Sequence, residues 1–176
     1  MGNQGILLID KKNGLNLEFS KLVSMMEYVR WTTLVEVRDL TVKQLDYLIN
    51  EEANSIGMLL AHMVSMEKAF QIDTFEKREF TEDIHLLNPA MELGNAAREQ
   101  IKGYPIDYYL EQLEQTRKKT IDTFRTLPDS WLFEKAPFWW EEPANNYFKW
   151  FHVIEDELNH RGQIRVIKKW MHMLEK

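Results

Sequence analysis

The stretch FHVIEDELNHRGQIRVIKKW, residues 151–170, decides the fold that this sequence predicts. His152, Asp156 and His160 recur every four residues, so they share one stripe of a helix. Beyond them the same stripe continues in apolar side chains, which are Ile164, Ile167, Met171 and Leu174. A stripe that is apolar over half of its length faces a core. The stretch therefore predicts a long helix that carries three polar groups towards the interior of the protein.

The rest of the 176-residue chain has the composition of a helical protein. It contains only 7 Gly and 5 Pro, and Leu, Met, Glu, Lys and Gln are plentiful while β-branched alternation is scarce. Apolar periodicity predicts long helices over 17–39, 55–72, 105–127 and 147–174. It also predicts a helical turn at 41–47, a weaker helical segment at 83–101, and a loop at 128–146. We therefore predict an all-α fold, a four-helix bundle with an extra short helical segment. Residues 1–16 are predicted to be a lead-in and 17–176 to form a single domain.

Composition also excludes several classes of function. The 22 basic and 28 acidic side chains give a net charge of −6, without the basic stripe of a nucleic-acid binder. The absence of cysteine excludes disulfides, thiolate metal sites and cysteine nucleophiles. The sequence has no apolar run long enough to span a membrane and no signal-peptide pattern at its start. We expect a cytoplasmic protein that acts on a small molecule, with neither a nucleic acid nor a membrane as partner.

Buried polar groups need partners, and a divalent metal ion would provide one for the polar half of the stripe. Imidazole nitrogens and a carboxylate oxygen are suitable ligands for Zn, Ni or Fe(II). Bundle sites draw ligands from more than one helix, and His62 lies at the edge of an apolar stripe in the second helix. His62, Asp156 and His160 are the predicted metal ligands. Three protein ligands would leave positions open for water or substrate.

Other interpretations remain open for these residues. A single histidine on an apolar face is more often a hydrogen-bonded core residue, and an Asp/His pair four residues apart is common on surfaces. His152 could be a fourth ligand, a hydrogen-bonding partner that orients one of the ligands, or a residue at the rim of the bundle, of which we favour the last two. Glu157 is predicted to orient one of the metal ligands through a hydrogen bond.

Aromatic side chains and two further features complete the set of expectations. Tyr28, Trp31 and Trp150 either fill the core, which is the favoured reading, or form an apolar pocket wall beside the metal. The basic run at 117–119 is expected to be a solvated helix face. Gly162 lies inside the last helix, where glycine is unfavourable by about 1 kcal/mol relative to alanine, and this predicts a close approach of another helix.

Three places in the chain resemble the DinB-like superfamily of bacterial four-helix-bundle proteins. SIGMLLAH at 55–62 is similar to a segment of that superfamily's second helix, and residues 152–163 are similar to its final-helix segment. The third is the order of elements, which includes LPDSW at 127–131 before the loop to the last helix.

The resemblance implies a metal site made of His62, position 156 and His160. The superfamily usually has histidine at position 156, whereas this chain has Asp156, which can still bind a metal but changes the charge of the site. By this resemblance, characterised relatives are metal-dependent thiol transferases or isomerases that use bacillithiol, mycothiol or glutathione, and members are commonly homodimers. The leading hypothesis is therefore a metal-dependent enzyme that transfers a low-molecular-weight thiol to an electrophilic small molecule. A hydrolase with water as nucleophile, and a non-catalytic, stress-related bundle that binds a small ligand, are the alternatives.

Overall fold

Caps and prolines divide the chain into helices, as the computed structural model of residues 5–78, 83–138 and 142–174 shows. The four long helices are α1 (Leu17–Val37), α3 (Ile56–Gln71), α6 (Ile106–Phe124) and α7 (Asn146–Leu174). The side-chain oxygen of Ser55 accepts a hydrogen bond from the backbone N–H of Met58, which caps the start of α3. The all-α, four-helix-bundle prediction is confirmed.

Shorter elements connect the long helices. They are α2 (Val42–Leu45), a π-helical turn that extends α3 (Ile72–Glu76), α4 (Asp83–Glu92), α5 (Gly94–Gln100) and a 3-10 turn (Asp129–Phe133). The weak helical segment predicted at 83–101 is two helices. The chain bends between them because Leu93 and Gly94 have φ values of +58° and +73°, which lie outside the right-handed helical region.

The segment expected to be only a loop contains a small hairpin. Strands β1 (Lys135–Pro137) and β2 (Pro143–Asn145) pair in antiparallel fashion, with Pro137 opposite Pro143. Proline has no backbone N–H, so prolines in a strand normally argue against pairing. Here they occupy the terminal pair of a three-residue ladder, where each strand loses little.

Two apolar clusters form the core, one towards each end of the bundle. The first includes Phe19, Leu22, Phe124 and Trp150, and the second includes Leu59, Tyr109, Ile164 and Ile167. In the lead-in, described from residue 5 onward, Leu15 is buried in the first cluster. None of the helices in the described ranges combines the length and apolarity that a membrane span requires.

A close helix approach is found at Gly57 rather than at Gly162. A Cβ atom added to Gly57 would lie 2.6 Å from the hydroxyl oxygen of Tyr109 on α6. A Cβ added to Gly162 would meet nothing within 4 Å, so the expected tight packing of Gly162 inside the bundle is wrong. The glycine of α7 faces open space on the outside of the molecule.

Gly57→Ala is therefore expected to lower the free energy of unfolding by about 1–3 kcal/mol, because overpacking outweighs the better helix propensity of alanine. Urea unfolding followed by circular dichroism would measure the change. The double variant Gly57→Ala/Tyr109→Phe removes the hydroxyl and should recover part of the loss. A neutral effect of Gly57→Ala would contradict the close approach.

Candidate metal centre

The candidate centre lies on the seam where α3 and α7 pack in antiparallel fashion. The ring centroids of His62 and His160 are 4.6 Å apart, and those of Phe70 and His152 are 5.9 Å apart. His62 and Phe70 are eight residues apart on α3, and His152 and His160 are eight residues apart on α7. The seam therefore runs for about two helical turns. We call this stretch, from His62 and His160 to Phe70 and His152, the α3–α7 seam.

The three predicted ligands meet at one end of the seam. Oδ1 of Asp156 lies 3.2 Å from Nε2 of His160 and 3.5 Å from Nε2 of His62. One ligand atom from each residue lies within 4.8 Å of the others. The side chains keep between 10% and 13% of their surface exposed, so the triad is largely buried but retains an edge that solvent can reach.

The outer nitrogen of each imidazole is already engaged. Nδ1 of His62 lies 2.8 Å from the carbonyl oxygen of Ala90, and Nδ1 of His160 lies 3.1 Å from Oε1 of Gln163. Both partners are acceptors, so both Nδ1 atoms carry the proton. This hydrogen bonding is typical of metal-binding histidines, because it directs the Nε2 lone pair at the ion.

The triad therefore needs positive charge between its members. With Nδ1 protonated, a neutral imidazole would turn its Nε2 lone pair towards an oxygen lone pair of Asp156, which is repulsive. Either a second proton on each ring or one divalent cation relieves this repulsion. Two imidazoles and a carboxylate suit Zn, Ni or Fe(II), so the residues present fit a metal ion.

The same electrostatics are visible in the ionisation of the triad without a metal. Burial disfavours the charged form of Asp156, but hydrogen bonds from His160 and His62 outweigh it and lower the pKa of the carboxyl. The same two effects compete at His160. Burial opposes protonation, but the hydrogen bond to Asp156 outweighs it and raises the pKa of the imidazole. Asp156 is an anion that attracts cations to this end of the seam.

His152 and Glu157, which were predicted to orient the metal ligands, have other partners. Nδ1 of His152 lies 3.0 Å from Oε2 of Glu155, and its ring packs on Phe70. Glu157 turns away from its neighbour Asp156, and its carboxylate receives hydrogen bonds from Arg30 and Arg117. The outer partners of the histidines are instead Ala90 and Gln163. No pattern in the sequence assigns this role to Gln163, and a backbone carbonyl such as that of Ala90 leaves no signal in a sequence.

Glu157 belongs to a buried network of four charges, one from each long helix. Arg30 contacts both carboxylate oxygens of Glu157, at 2.8 and 3.1 Å, and Arg117 reaches Glu67 at 2.8 Å and Glu157 at 3.2 Å. The hydroxyl of Thr120 donates to Glu67 at 2.7 Å. All four charged side chains are at most 10% exposed. We call these residues, Arg30, Glu67, Arg117 and Glu157, the charge quartet.

The quartet corrects one expectation from the sequence. Arg117 is 7% exposed and lies between helices, whereas the basic run at 117–119 was predicted to be a solvated face. Its neighbours Lys118 and Lys119 are exposed, as expected. Because the guanidinium lies between Glu67 and Glu157, these carboxylates overcome the effect of burial and raise the pKa of Arg117.

The predicted aromatic wall has one clear core member. Trp150 is fully buried, stacks on Phe75 at 5.0 Å and donates its indole N–H to Thr74. Tyr28 and Trp31 pack on each other on α1, with Tyr28 40% exposed. The aromatic side chain that the structure does place on the seam is Phe70, against which Phe138 also packs, with centroids 6.0 Å apart.

A cavity of about 230 Å³ lies beside the centre, between α3, α4, α5 and α6. It shares Ala90 with the centre, since the carbonyl of this residue holds His62. Its lining is rich in hydrogen-bonding groups, which come from Ser65, Lys68, Gln100, Tyr104, Tyr108 and Gln112.

Taken together, the fold and the triad define a helical bundle with a candidate site of two histidines and one carboxylate. The mycothiol-S-transferase family, a DinB-like family, matches residues 21–172 of the chain. The chain belongs to this family, and the resemblance to the DinB-like superfamily is confirmed. A search of curated proteins finds no match. Membership indicates a metal-dependent, thiol S-transferase-like role.

Proposed function

We propose that the protein is an enzyme that transfers a low-molecular-weight thiol of the bacillithiol, mycothiol or glutathione class to an electrophilic small molecule. The observation that carries the proposal is the convergence of His62, Asp156 and His160, with both Nδ1 atoms held by acceptors. Membership of the mycothiol-S-transferase family supports a thiol as the group that is transferred. A divalent ion bound by these three residues would lower the pKa of a thiol so that it ionises at neutral pH.

The chain's own residues have three tasks in this proposal. Asp156 contributes the negative charge that a cation requires, while His62 and His160 add neutral nitrogen ligands. Ala90 and Gln163 keep these rings in the right tautomer. The exposed edge of the triad admits the sulfur of the thiol.

Two places next to the triad suit the two substrates. At the aromatic end of the α3–α7 seam, the partly exposed ring of His152 covers the buried Phe70 and would face the electrophile. The cavity beyond Ala90 offers Lys68 and several hydroxyl and amide groups, which suit the polar body of a thiol cofactor. We further propose that the enzyme works in the cytoplasm as a homodimer.

Thiol transfer and metal content measured on the same protein test this function. Untagged protein should contain close to one equivalent of Zn, Ni or Fe by elemental analysis, and should accelerate loss of a thiol in the presence of an electrophile such as monobromobimane. His62→Ala and His160→Ala should each lose the metal and reduce the acceleration by at least about 100-fold.

His172→Ala is the matched control, because it removes an exposed imidazole from the same helix as His160. It should keep both the metal and the activity. Full metal content in His62→Ala and His160→Ala would show that the triad is misassigned. A metal-loaded protein that hydrolyses esters but leaves every tested thiol unchanged would refute the transferase proposal in favour of hydrolysis.

A further inference from the structure

The cavity beside the candidate centre contains a cation that has no carboxylate partner in the part of the chain that the structure describes. Lys68 is the only charged residue in the described lining, which otherwise consists of apolar side chains, tyrosines, glutamines and a serine. Its Nζ atom donates a long hydrogen bond to Oε1 of Gln112, at 3.4 Å. The buried amine of Lys149, by contrast, lies 2.7 Å from a carboxylate oxygen of Asp73.

The surroundings of Lys68 disfavour its positive charge. Burial lowers the pKa of its ammonium group, and the neighbouring charge of Lys119 lowers this pKa further. No acid among the described residues offsets these effects, although the chain has more acidic than basic side chains. A partly buried charge without a counter-ion is unfavourable. An anionic group of a ligand in the cavity would provide that counter-ion.

The other walls of the cavity suit part of a small organic molecule. The rings of Tyr104 and Tyr108 stack with centroids 4.3 Å apart and are 38% and 41% exposed. Gln100 and Gln112 add amide groups, which both donate and accept hydrogen bonds. The volume of about 230 Å³ is below the range of about 300–1,000 Å³ that is usual for pockets that enclose a whole ligand. A ligand would therefore fill the cavity with one part and extend beyond it with another.

Ala61 and Ala90 border both the cavity and the candidate centre. Both line the cavity, while Ala61 precedes His62 in the sequence and the carbonyl of Ala90 lies against the His62 ring. Lys68 follows His62 by six residues on α3, which is about 9 Å along the helix axis. A molecule of tripeptide size spans up to about 10 Å. One thiol molecule can therefore place its sulfur at the triad and a carboxylate at Lys68.

We propose that Lys68 binds a carboxylate of the thiol substrate, so that the enzyme uses acidic thiols such as bacillithiol or glutathione in preference to mycothiol, which has no carboxylate. This inference rests on the proposed thiol transfer at the triad. Lys68 would select the thiol and take no part in the ionisation of its sulfur. The matching family is named for mycothiol, and this chain would differ from that name in the thiol that it uses.

Binding of S-methylated thiols to the metal-free protein tests the carboxylate site without metal or turnover. Calorimetric titration should detect binding of S-methylbacillithiol or S-methylglutathione, and Lys68→Gln should weaken this binding by at least about 10-fold. Lys68→Arg keeps the positive charge and should retain most of the affinity. Lys118→Gln removes a 74% exposed cation from α6 and is the matched control, which should bind as the original chain does. The proposal is wrong if neither ligand binds, or if Lys68→Gln binds as tightly as the original chain.

Turnover of an acidic thiol and of its ester tests the selectivity. With monobromobimane as electrophile, kcat/KM of the original chain for glutathione or bacillithiol should exceed that for the corresponding carboxyl ester, and that for mycothiol, by at least about 10-fold. Lys68→Gln should abolish this preference while circular dichroism and metal content stay unchanged. Equal use of acidic and neutral thiols by the original chain would overturn the inference and leave thiol transfer intact. Binding that depends on Lys68, without transfer of any thiol, would instead refute the transferase and leave the carboxylate site.

A change of electrophile shows which substrate carries the carboxylate. Iodoacetate and iodoacetamide differ in that only the first has a carboxylate. With the same acidic thiol, Lys68→Gln should reduce the rates with both electrophiles by the same factor. A loss confined to iodoacetate would assign the Lys68 site to the electrophile and overturn the proposal.

Discussion

Replacing Arg117 with methionine is expected to lower the free energy of unfolding by about 3–5 kcal/mol. Arg117 donates to Glu67, to Glu157 and to the backbone carbonyl of Met26. Without it, two buried carboxylates would share the single guanidinium of Arg30. A buried charge that has lost its partner costs far more than the pair contributed, because it has been removed from water.

Lys118→Met is the matched control for this prediction, since Lys118 is the next residue on α6 and its side chain is 74% exposed. Solvent screens its surface pair with Asp122, so Lys118→Met should leave the free energy of unfolding nearly unchanged. Urea unfolding of both variants gives the comparison. Arg117→Lys keeps the positive charge but loses the planar guanidinium that donates to two carboxylates. Its free energy of unfolding should therefore lie between those of the other two variants. Equal stability of Arg117→Met and Lys118→Met would mean that the charge quartet is not formed in solution.

Replacing Asp156 with alanine is expected to weaken binding of a divalent ion by at least about 100-fold. Asp156 is the only anion of the triad, and its oxygen lies closest to the Nε2 atoms of both His62 and His160. Without it, only two neutral imidazole ligands would remain, and the site would have no negative charge to balance that of the cation. Calorimetric titration of the metal-free protein with Zn²⁺ would measure the change in dissociation constant.

Two further variants separate the charge of Asp156 from its role as a ligand. Asp156→His replaces the carboxylate with a third imidazole, so the ion should stay bound with a different metal preference. Asp39→Ala removes a carboxylate that is 89% exposed and should change nothing. If Asp156→Ala binds Zn²⁺ as tightly as the original chain, the ion is held elsewhere and the candidate centre is wrong.

The helices and the triad could be predicted because both depend on local periodicity. Spacing by four places Asp156 and His160 on one stripe whatever the rest of the fold does. The helix that supplies His62 follows from its own apolar stripe. Bundle geometry then brings this face against α7, because both stripes must be buried.

The charge quartet could not be predicted because its members are far apart in the sequence. Arg30 and Glu157 are separated by 127 residues, and Arg117 and Glu67 by 50. Arg117 stands in a run of three basic residues, where the pattern is that of a solvated face. Only the packing of four helices shows that one of the three points inward, towards acids contributed by two other helices.

The aromatic residues near the site show a similar limit. Sequence reasoning placed Trp150 either in the core or beside the metal, and its contacts with Phe75 and Thr74 belong to the core. Phe70 received no functional role from the sequence, because its apolar stripe explains it completely. Its position opposite His152 depends on the register between α3 and α7, which periodicity does not define.

The two adjacent carboxylates on α7 contact different partners, and this has a consequence for any ion that the candidate centre would bind. Asp156 faces the two histidines, while the next residue, Glu157, accepts hydrogen bonds from Arg30 and Arg117. A rotation of α7 about its axis would move Asp156 away from a bound ion, but it would also break the hydrogen bonds of Glu157 with both guanidinium groups. We therefore expect the backbone of the bundle to keep the same conformation with and without a bound ion. An ion would then enter and leave through rotation of side chains alone.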